Sequence, residues 1–476
     1  MITQNLCLKT DSYKISHWLQ FPEGATESSY YIESRGSKIE GVNHVMSMGS
    51  EIMADMLEKG VTKEDVEYAR DFYKQHFMGQ EIFNYEGFMR IVNEFNGKLP
   101  LRIRAVPDGT VIPVKNVQAT YEATHPDFEW LAGFFETKAL RTTWYTSTVA
   151  TISFETKKVI KEALDKSSDL SGEDYASCLS TRLHDFGARG VSSGESAAHG
   201  GFSHIVNYGG SDTVEAIEFA RHITRDNTLM AAFSIPAREH STTTCYLREG
   251  EYEAFMNSVR NFGGGFFAVV IDSYSTKNAL KWLTTNKEFI RILTEKGGTC
   301  VLRPDSGLPV DMVTMCLNFV AENVGFTRNS KGYKVLDPRF RVIQGDGVDL
   351  EEIRRICGWC VNHHKFSMEN FLFGMGGGLL QHCDRDWFKY AMKCSAMKVD
   401  GEWRDVYKAP ETDPSKKSKA GRLDLIINSE GEYETVRLED SQISHPRSVM
   451  VTVFEDGERK VVSSMQEIRE RSELNL

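Results

Sequence analysis

The run FFAVVIDSY at residues 266–274 decides the fold of the central part of the chain. Six apolar residues, Phe266 to Ile271, follow one another without a polar break, and Asp272 comes directly after them. A run of this length is far too short to span a membrane. It is typical of a strand in a parallel sheet that is buried on both faces, and Asp272 is then expected at the carboxyl end of that strand.

The same pattern recurs along the middle of the chain, where short apolar runs end in polar residues or glycine and helical segments follow. The ends of successive runs lie about 27 to 41 residues apart, and they are Asp185, Asp212, His240, Asp272, Asp305, Asp346 and Gly376. Seven βα units predict an irregular parallel α/β barrel, with its active site at the strand carboxyl ends. A doubly wound open sheet is the alternative, but the loop at 374–378 lacks the last glycine of the dinucleotide fingerprint.

The two ends of the chain have a different pattern, with alternating runs and turn dipeptides. Residues 99–114 predict a hairpin around Pro107-Asp108-Gly109. Three further hairpin turns are predicted at Asp400-Gly401, Glu430-Gly431 and Asp456-Gly457. We therefore expect a mixed, largely antiparallel domain built from residues 1–145 and 385–476, and a barrel domain from residues 146–384.

Composition and charge exclude several classes of protein. The chain has 476 residues and a formal net charge of −11, which argues against a dedicated nucleic-acid binder. No apolar run is long enough for a membrane span, and the N-terminal residues carry no secretory signal pattern. Nine scattered cysteines predict reduced thiols, so we expect a cytoplasmic protein without membrane partners.

Several strand ends carry residue types that suit a phosphorylated sugar. The glycines at 374–378 permit close backbone approach to a phosphate, although a tight turn alone is the alternative. Arg303 suits pairing with phosphate or stacking on a ring, and Asp305 suits a metal or a ribose hydroxyl, against the alternative of a surface ion pair. Asp346, between two glycines, suits sugar hydroxyls, but a plain β-turn explains it equally well.

Two further clusters have competing interpretations. His240 and Asp272 end neighbouring barrel strands, and an aspartate beside a histidine fixes its tautomer and stabilises the imidazolium. A structural role for His240 is equally favoured. Cys357, Cys360 and Cys383 form a weak zinc candidate, but residues 349–364 also have the pattern of an amphipathic helix, which we favour.

Taken together and in order, the motifs of this chain resemble the nicotinamide phosphoribosyltransferases, enzymes of the type II phosphoribosyltransferase fold. The matching motifs include TDSYKISH (10–17), LHDFGARGVSS (183–193), GSDTV (210–214), PAREHST (236–242), RPDSG (303–307), RVIQGDGVD (341–349), FGMGGGLLQ (373–381) and DPSKKSKAGRL (413–423). The resemblance implies transfer of phosphoribose from phosphoribosyl pyrophosphate to nicotinamide, with Mg²⁺. It also implies a homodimer with shared active sites, and ATP hydrolysis coupled through a phosphohistidine.

The resemblance further implies a role for each matching residue at the nicotinamide ring. Phe186 and Arg303 would sandwich the ring, and Tyr13 of the partner subunit would close the site. Asp212 would accept a hydrogen bond from the carboxamide NH₂. His240 would be the phosphorylated histidine, oriented by Asp272.

The remaining roles concern phosphates and ribose. Asp305 and Asp346 would hold ribose or the Mg-bound diphosphate, with Asp305 as the candidate metal ligand, and Arg189 would meet phosphate. Gly345, Gly376 and Gly377 would cradle the 5′-phosphate. The residues implied in pyrophosphate or ATP binding, the first three across the dimer interface, are Arg35, Arg385, Lys393 and Lys416. Ala391 departs from the family pattern, because a hydroxyl is expected there near the phosphates.

Three rival functions make different demands on the sequence. A nicotinate phosphoribosyltransferase is the nearest, and Asp212 argues against it because a carboxylate repels an acid substrate. A sugar-phosphate aldolase requires a lysine at a strand end to form a Schiff base, and none of the seven strand ends carries one. A non-catalytic binding protein predicts loss of the polar strand ends, and all of them are present.

Overall fold

The computed structural model describes residues 4–412 and 417–476. The strands, numbered along the chain, are β1 (Ala25–Ser34), β2 (His44–Met46), β3 (Leu101–Ala105), β4 (Val111–Pro113), β5 (Val117–Ala123), β6 (Leu183–Asp185), β7 (Gly210–Ser211), β8 (Phe266–Val270), β9 (Thr299–Arg303), β10 (Phe326–Arg328), β11 (Lys334–Leu336), β12 (Phe340–Gln344), β13 (Phe371–Met375), β14 (Tyr390–Val399), β15 (Glu402–Asp405), β16 (Leu423–Ile427), β17 (Tyr433–Arg437), β18 (Val451–Glu455) and β19 (Glu458–Arg459).

The α-helices are α1 (Ser50–Glu58), α2 (Lys63–His76), α3 (Tyr85–Phe95), α4 (Leu131–Phe134), α5 (Glu136–Ser167), α6 (Gly172–Ser180), α7 (Gly194–Ile205), α8 (Val214–Thr224), α9 (His240–Thr244), α10 (Glu251–Phe262), α11 (Thr276–Thr285), α12 (Lys287–Lys296), α13 (Pro309–Asn323), α14 (Leu350–Cys357), α15 (Gly377–Leu380) and α16 (Met465–Glu473). Short 3₁₀ segments lie at Leu6–Leu8, Ser12–Leu19 and Met368–Asn370, and a π-helix at Gly358–His363.

Backbone contacts divide the chain into two compact units. The first comprises residues 1–150, 221–227 and 384–475, and the second comprises residues 151–220 and 228–383. The first unit is therefore assembled from both ends of the chain. The second unit holds the central run of strands.

Six strands of the described chain form the parallel sheet of the second unit, in the order β7-β6-β13-β12-β9-β8. Every neighbouring pair in it is parallel. The four strands β8, β9, β12 and β13 are mostly apolar and mostly buried, as the continuous apolar runs predict for strands covered on both faces. Ala268, Val301, Ile343 and Leu372, one from each of four adjacent strands, pack together as a buried cluster.

An irregular segment connects the two edges of this sheet. Phe233 forms a parallel bridge with Gly210 at one edge, and Ala237 forms a parallel bridge with Ala268 at the other. Pro236 lacks an N–H, so it cannot donate a ladder hydrogen bond, but its carbonyl accepts one from Ala268 N at 2.9 Å. The sheet thus curls into an irregular barrel, and the predicted fold class is confirmed.

The largest sheet of the first unit is antiparallel. Within residues 4–412 and 417–476 it has seven strands in the order β15-β14-β1-β5-β3-β18-β19. The three predicted C-terminal hairpins are present, as β14–β15, β16–β17 and β18–β19. At the first of their turns Asp400 and Gly401 have φ of 54° and 84°, the positive values that a tight two-residue hairpin requires.

Four local expectations were wrong. Residues 99–114 do not form a hairpin, because β3 pairs with β5 and β18 while β4 pairs with β2. The strand expected to end at His240, over 231–240, is replaced by isolated bridges at Phe233 and Ala237, and His240 begins α9. The strand expected over 204–212 is reduced to β7, Gly210–Ser211, because helix α7 extends to Ile205. The helix after the glycine loop, α15, is a single turn.

Two features are absent from the residues that the structure describes. None of their helices is long and apolar enough to cross a bilayer. No cluster of three or more His, Cys, Asp or Glu side chains among them could hold a metal ion. The zinc candidate was therefore wrong for the described chain: Cys357 and Cys360 are buried, beside the Met368 sulfur and the Thr314 hydroxyl respectively.

Candidate active site

Two cavities lie among the strand ends of the second unit, and they share two side chains. A cavity of about 190 Å³, here called the apolar cavity, is lined by barrel-interior residues such as Ala268 and Ile343. A cavity of about 720 Å³, here called the polar cavity, is lined by the loops after the strands. Phe186 and Arg303 line both cavities. These two side chains therefore form part of the boundary between the two cavities.

Most of the predicted barrel residues lie around the polar cavity. Its side chains include Phe186, Arg189, His240, Arg303, Asp305 and Asp346. Gly345, Gly376 and Gly377 contribute backbone to its wall. Because these residues come from the ends of five different segments, the barrel topology brings together what the sequence separates by almost two hundred positions.

The Phe186 ring depends on glycines in the strands beneath it. A Cβ built on Gly374 would lie 2.0 Å from the ring, and one built on Gly345 would lie 3.2 Å from it. Phe186 N also donates a hydrogen bond to Met375 O, at 3.0 Å. The glycines of β13 and of the loop after β12 therefore make room for an aromatic ring as well as bordering the polar cavity.

Arg303 is mostly buried, yet its guanidinium is poorly satisfied. Its Nε is buried and forms no hydrogen bond within the described chain, and Asp305 Oδ1 lies 3.9 Å from it. Burying a cationic donor without a partner costs free energy, which a bound ligand can recover. Arg303 therefore has a donor, Nε, that a ligand at the boundary between the cavities could satisfy, and its planar guanidinium could also stack on such a ligand.

His240 lies between two aspartates. Its Nε2 is 3.0 Å from Asp272 Oδ1, and its Nδ1 is 3.7 Å from Asp305 Oδ2. The Asp272 side chain is 3% exposed, and its other oxygen accepts hydrogen bonds from Asp305 N and the Ser306 hydroxyl. The predicted pairing of His240 with Asp272 is therefore present in the geometry, while the chemical roles of both residues stay predictions.

Asp212 lines the apolar cavity rather than the polar one. Its N–H donates to Asp185 O at 2.9 Å, and its Oδ1 accepts a hydrogen bond from the Ser234 hydroxyl. Burial lowers the pKa of the neighbouring His184, and the charge of Asp212 opposes that change. A carboxylate at this place favours a ligand that donates a hydrogen bond and disfavours one that carries a negative charge.

Asp185 is fully buried under this site. Burial raises the pKa of its carboxyl to about 6, and the nearby Asp212 adds to the rise, while a hydrogen bond from Gly187 N at 2.7 Å opposes it. That hydrogen bond closes a turn around Phe186. Asp185 therefore helps to hold the start of the loop that carries Phe186 and Arg189, which both line the polar cavity.

Three predicted phosphate-binding residues form a basic cluster in the first unit. Lys393 lies on β14, opposite Tyr31 of β1, and Arg35 follows β1, its Nε donating to Lys389 O at 3.2 Å. Desolvation lowers the pKa of Lys393, and so do the charges of Arg35 and Arg385, against the opposing effect of Glu136. Repulsion among cations is relieved when an anion binds, so this cluster suits a polyphosphate.

Tyr13 lies in the 3₁₀ segment Ser12–Leu19 of the first unit, where its side chain is 60% exposed. Lys416 lies outside the described residues, so its predicted role stays a prediction. Ala391, the departure from the family pattern, is buried on β14 two residues from Lys393.

Comparison with known proteins gives this site its context. The model of the nicotinate phosphoribosyltransferase (NAPRTase) family matches residues 181–458, which include the barrel strands from β6 onward. The model of the nicotinamide phosphoribosyltransferase N-terminal domain matches residues 5–103. A protein of Xanthomonas campestris pv. campestris named nicotinamide phosphoribosyltransferase is 43% identical, over 98% of this chain and 97% of that protein.

The chain belongs to the nicotinate phosphoribosyltransferase family. Members of this family are pentosyltransferases, so the chain is an enzyme that transfers a phosphoribosyl group. A more distant member from Acinetobacter baylyi, also named nicotinamide phosphoribosyltransferase, is 27% identical over 97% of this chain and 95% of that protein. The resemblance inferred from the ordered motifs is confirmed.

Solved structures agree on the fold of the family. The nicotinate-nucleotide pyrophosphorylase of Pyrococcus furiosus superposes with a TM-score of 0.64 at 13% identity, covering 99% of this chain and 95% of that one. Human nicotinic acid phosphoribosyltransferase superposes with a TM-score of 0.55 at 14% identity, covering 98% of this chain and 93% of that one. At such identities these likenesses show the fold of this family member and nothing about its substrate.

Several residues at the site had no role in the sequence-based prediction. Asp185 was recognised as a polar strand end, but nothing in the sequence showed that it is buried. Ser234 was part of an apolar run whose polar end was placed at His240 instead. His382, which lines the polar cavity beside Gly377, comes after the glycine loop and matches no motif that signals a ligand.

Proposed function

We propose that this enzyme transfers phosphoribose from 5-phosphoribosyl 1-pyrophosphate to nicotinamide, giving nicotinamide mononucleotide and pyrophosphate in NAD salvage. The observation that carries the proposal is the shared boundary of the two cavities: Phe186 and Arg303 line both a space with Asp212 on its wall and a space bordered by glycines. A small aromatic amide suits the first space, and a phosphorylated sugar suits the second. The curated relatives named nicotinamide phosphoribosyltransferase support the same assignment.

The proposed phosphoribosyl transfer needs no side chain as a general acid or base. The pyridine nitrogen attacks the anomeric carbon with its own lone pair, the bond from that carbon to the diphosphate oxygen breaks, and no proton has to move. The transition state has oxocarbenium character, as in glycoside chemistry. Holding the ring between Phe186 and Arg303 supplies the required orientation.

Negative charge grows on the departing diphosphate, so the site must stabilise it. Asp305 and Asp346 lie in the polar cavity, and no larger cluster of metal ligands exists within the described residues. This fits Mg²⁺, which enzymes commonly hold through one or two carboxylates together with substrate phosphates. We assign Asp305 as the candidate ligand, and the ion would supply charge stabilisation of the diphosphate.

His240 is proposed as the residue that couples ATP hydrolysis to transfer. One of its nitrogens is engaged by Asp272, and the ring lines the polar cavity. The γ-phosphoryl group of ATP would move to the imidazole with departure of ADP, and water would later release it as phosphate. Asp272 stabilises the charge that develops on the ring.

We further propose a homodimer in which the basic cluster of one copy serves the polar cavity of another. The support is that Arg35, Arg385 and Lys393 lie together in the first unit with the composition of a polyphosphate site. Tyr13, exposed in the same unit, would close the site of the partner subunit. Sharing of sites across a two-fold axis is common where a cleft is completed by a second copy.

A product assay tests the function directly. Pure protein is mixed with phosphoribosyl pyrophosphate and Mg²⁺, nicotinamide or nicotinate is offered in parallel, each with and without ATP, and the mononucleotide is quantified. Mononucleotide from the amide alone, increased by ATP, is the expected result. Product from the acid instead would assign the enzyme to the nicotinate-specific branch, and no product from either would refute the proposed transfer.

A further inference from the structure

Ser234 lies against Asp212 in the apolar cavity and has no part in the chemistry described above. Its hydroxyl donates a hydrogen bond to Asp212 Oδ1. We propose that Ser234 is a positioning residue that sets the preference for amide over acid by fixing the orientation of the Asp212 carboxylate. This inference rests on the proposed function, because it concerns the selectivity of the same site.

The backbone of the segment that closes the barrel places Ser234 beside Asp212. Phe233 N donates to Gly209 O at 2.8 Å, and Ser211 N donates to Phe233 O at 3.1 Å. The second of these bonds joins Ser211 and Phe233, the residues directly before Asp212 and Ser234, and the first reaches Gly209, two residues before Ser211. The serine hydroxyl is therefore brought to the carboxylate by the same bridge that connects the sheet edges, rather than by a chance side-chain rotamer.

Asp212 is held from its other side as well. Its N–H donates to Asp185 O at 2.9 Å, so its backbone is fixed to the end of β6. The Ser234 hydroxyl then takes up Oδ1 and restricts rotation of the carboxylate. The second oxygen, Oδ2, is left to accept from a ligand in the cavity, which is the geometry that an amide NH₂ requires.

A neutral donor suits this task better than a cation. Rejection of an acid depends on the full negative charge of Asp212, and a lysine or arginine at position 234 would cancel that charge. His184 lines the same cavity, as do Arg182, Arg303 and Arg341, and burial lowers the pKa of His184, which favours its uncharged form and leaves the charge of Asp212 in place. Ser234 thus orients the carboxylate without weakening its repulsion of an acid.

The test compares kinetics of the amide and the acid in a Ser234→Ala variant. Loss of one hydrogen bond to a charged group predicts a KM for nicotinamide about tenfold higher, with kcat nearly unchanged. The amide-to-acid ratio of kcat/KM is expected to fall by a similar factor. Ser234→Thr keeps the hydroxyl and is expected to restore both values.

A matched control exists elsewhere in the same unit. Ser330 donates through its hydroxyl to Asp169 Oδ1 at 2.9 Å, outside both cavities, so Ser330→Ala removes the same type of hydrogen bond without touching the site. It is expected to leave KM and the ratio unchanged. In an Asp212→Ala background, Ser234→Ala is expected to have no further effect, because Ser234 acts through Asp212.

Three results would overturn the inference. One is a Ser234→Ala variant with wild-type KM and ratio although Asp212→Ala alters both, and this leaves the proposed function intact. Another is a full additional effect of Ser234→Ala in the Asp212→Ala background. The third is an Asp212→Ala variant that itself keeps the wild-type ratio, which removes Asp212 from the substrate and refutes the inference together with that part of the proposed function.

Discussion

At the scale of single residues, two aspartates of the candidate site are each held by the protein at one carboxylate oxygen. Asp272 uses Oδ2 to accept from Asp305 N and Ser306, which leaves Oδ1 for His240. Asp212 is engaged at Oδ1 by Ser234. In both cases a donor of the same chain occupies one carboxylate oxygen. The orientation of the other oxygen is therefore fixed before any ligand binds.

Changing Asp212 to Asn is expected to relax selectivity. The amide side chain keeps an acceptor for the carboxamide but loses the charge that repels an acid, and it can donate to a carboxylate. The amide-to-acid ratio of kcat/KM should fall by at least about tenfold. Steady-state kinetics with nicotinamide and nicotinate measure it, Asp169→Asn on the surface is the control, and an unchanged ratio would contradict the assignment.

Changing His240 to Ala is expected to remove the stimulation by ATP while some ATP-independent transfer remains. The reason is that displacement of diphosphate by the nicotinamide nitrogen needs no imidazole. The γ-phosphoryl group of ATP, in contrast, has no acceptor other than His240 in the proposed mechanism. The measurement is mononucleotide formation with and without ATP, together with ADP release. A variant that retains full ATP stimulation would disprove the phosphohistidine role.

Changing Asp185 to Asn is expected to stabilise the protein at high pH only. The folded-state pKa of Asp185 is raised to about 6, so folding favours its protonated form, and ionisation costs stability as the pH rises through 6. The asparagine avoids this cost and still accepts from Gly187 N. The gain should reach about 2–3 kcal/mol at pH 8 and should vanish near pH 4.

Denaturant unfolding at pH 4.5, 6 and 8 follows that difference. Asp169→Asn serves here too, because hydrogen bonds from Ser330 lower the pKa of exposed Asp169, and its replacement should give no gain at pH 8. Equal stability of Asp185→Asn and wild type at every pH would show that Asp185 is ionised without cost.

At the scale of elements, the sequence predicted strands better than it predicted their partners. Continuous apolar runs ending at Asp272, Asp305 and Asp346 indicated parallel strands, since burial on both faces leaves a local signature. Alternation in 99–114 correctly indicated extended chain, but pairing of β4 with β2 depends on residues far away in sequence. The run at 204–212 has only two adjacent aliphatic residues, Ile205 and Val206, and so short an apolar stretch does not distinguish a buried helix end from a strand.

The candidate site, like the strands, was predicted from the sequence only in part. Asp305 was found because a barrel collects its strand ends at one rim, and His240 lies at the same rim although an irregular segment precedes it. Ser234 was missed because its contact with Asp212 follows from a backbone bridge between Phe233 and Gly210, which no local pattern encodes. The burial of Asp185, and hence its raised pKa, likewise depends on packing of the whole barrel.

Strand β13 provides an element-scale prediction. A methyl group at Gly374 would meet the Phe186 ring at 2.0 Å, so Gly374→Ala is expected to displace the ring. Misplacement of a positioning side chain by about 1 Å predicts a loss of about 100-fold in kcat/KM. Gly358→Ala is the control, since Gly358 has helical backbone angles and nothing within 4 Å of an added Cβ. Wild-type kinetics for Gly374→Ala would show that Phe186 does not position the nicotinamide ring.

At the scale of the whole molecule, the proposed sharing of sites predicts complementation between inactive variants. Arg303→Ala impairs the polar cavity and Arg385→Ala impairs the basic cluster, so each variant alone should be nearly inactive. If sites are shared across a dimer, mixing and reassembling the two should restore about a quarter of wild-type activity, because half the dimers are mixed and each has one intact site. No recovery in mixed dimers, verified by differently tagged chains, would show that each copy uses only its own residues.

The sheet of the first unit cannot be completed until late in synthesis, because it contains strands from both the N-terminal and the C-terminal parts of the chain. β14 pairs with β1 along nearly its whole length, from Ala25 opposite Val399 to Ser34 opposite Tyr390. Ribosomes add about 5–20 residues per second, so β1 waits for tens of seconds with one edge unpaired while the barrel residues are made. An open strand edge of this kind invites pairing with other nascent chains. Yield in cells is therefore expected to depend on chaperones that cover the N-terminal segment until the last strands leave the ribosome.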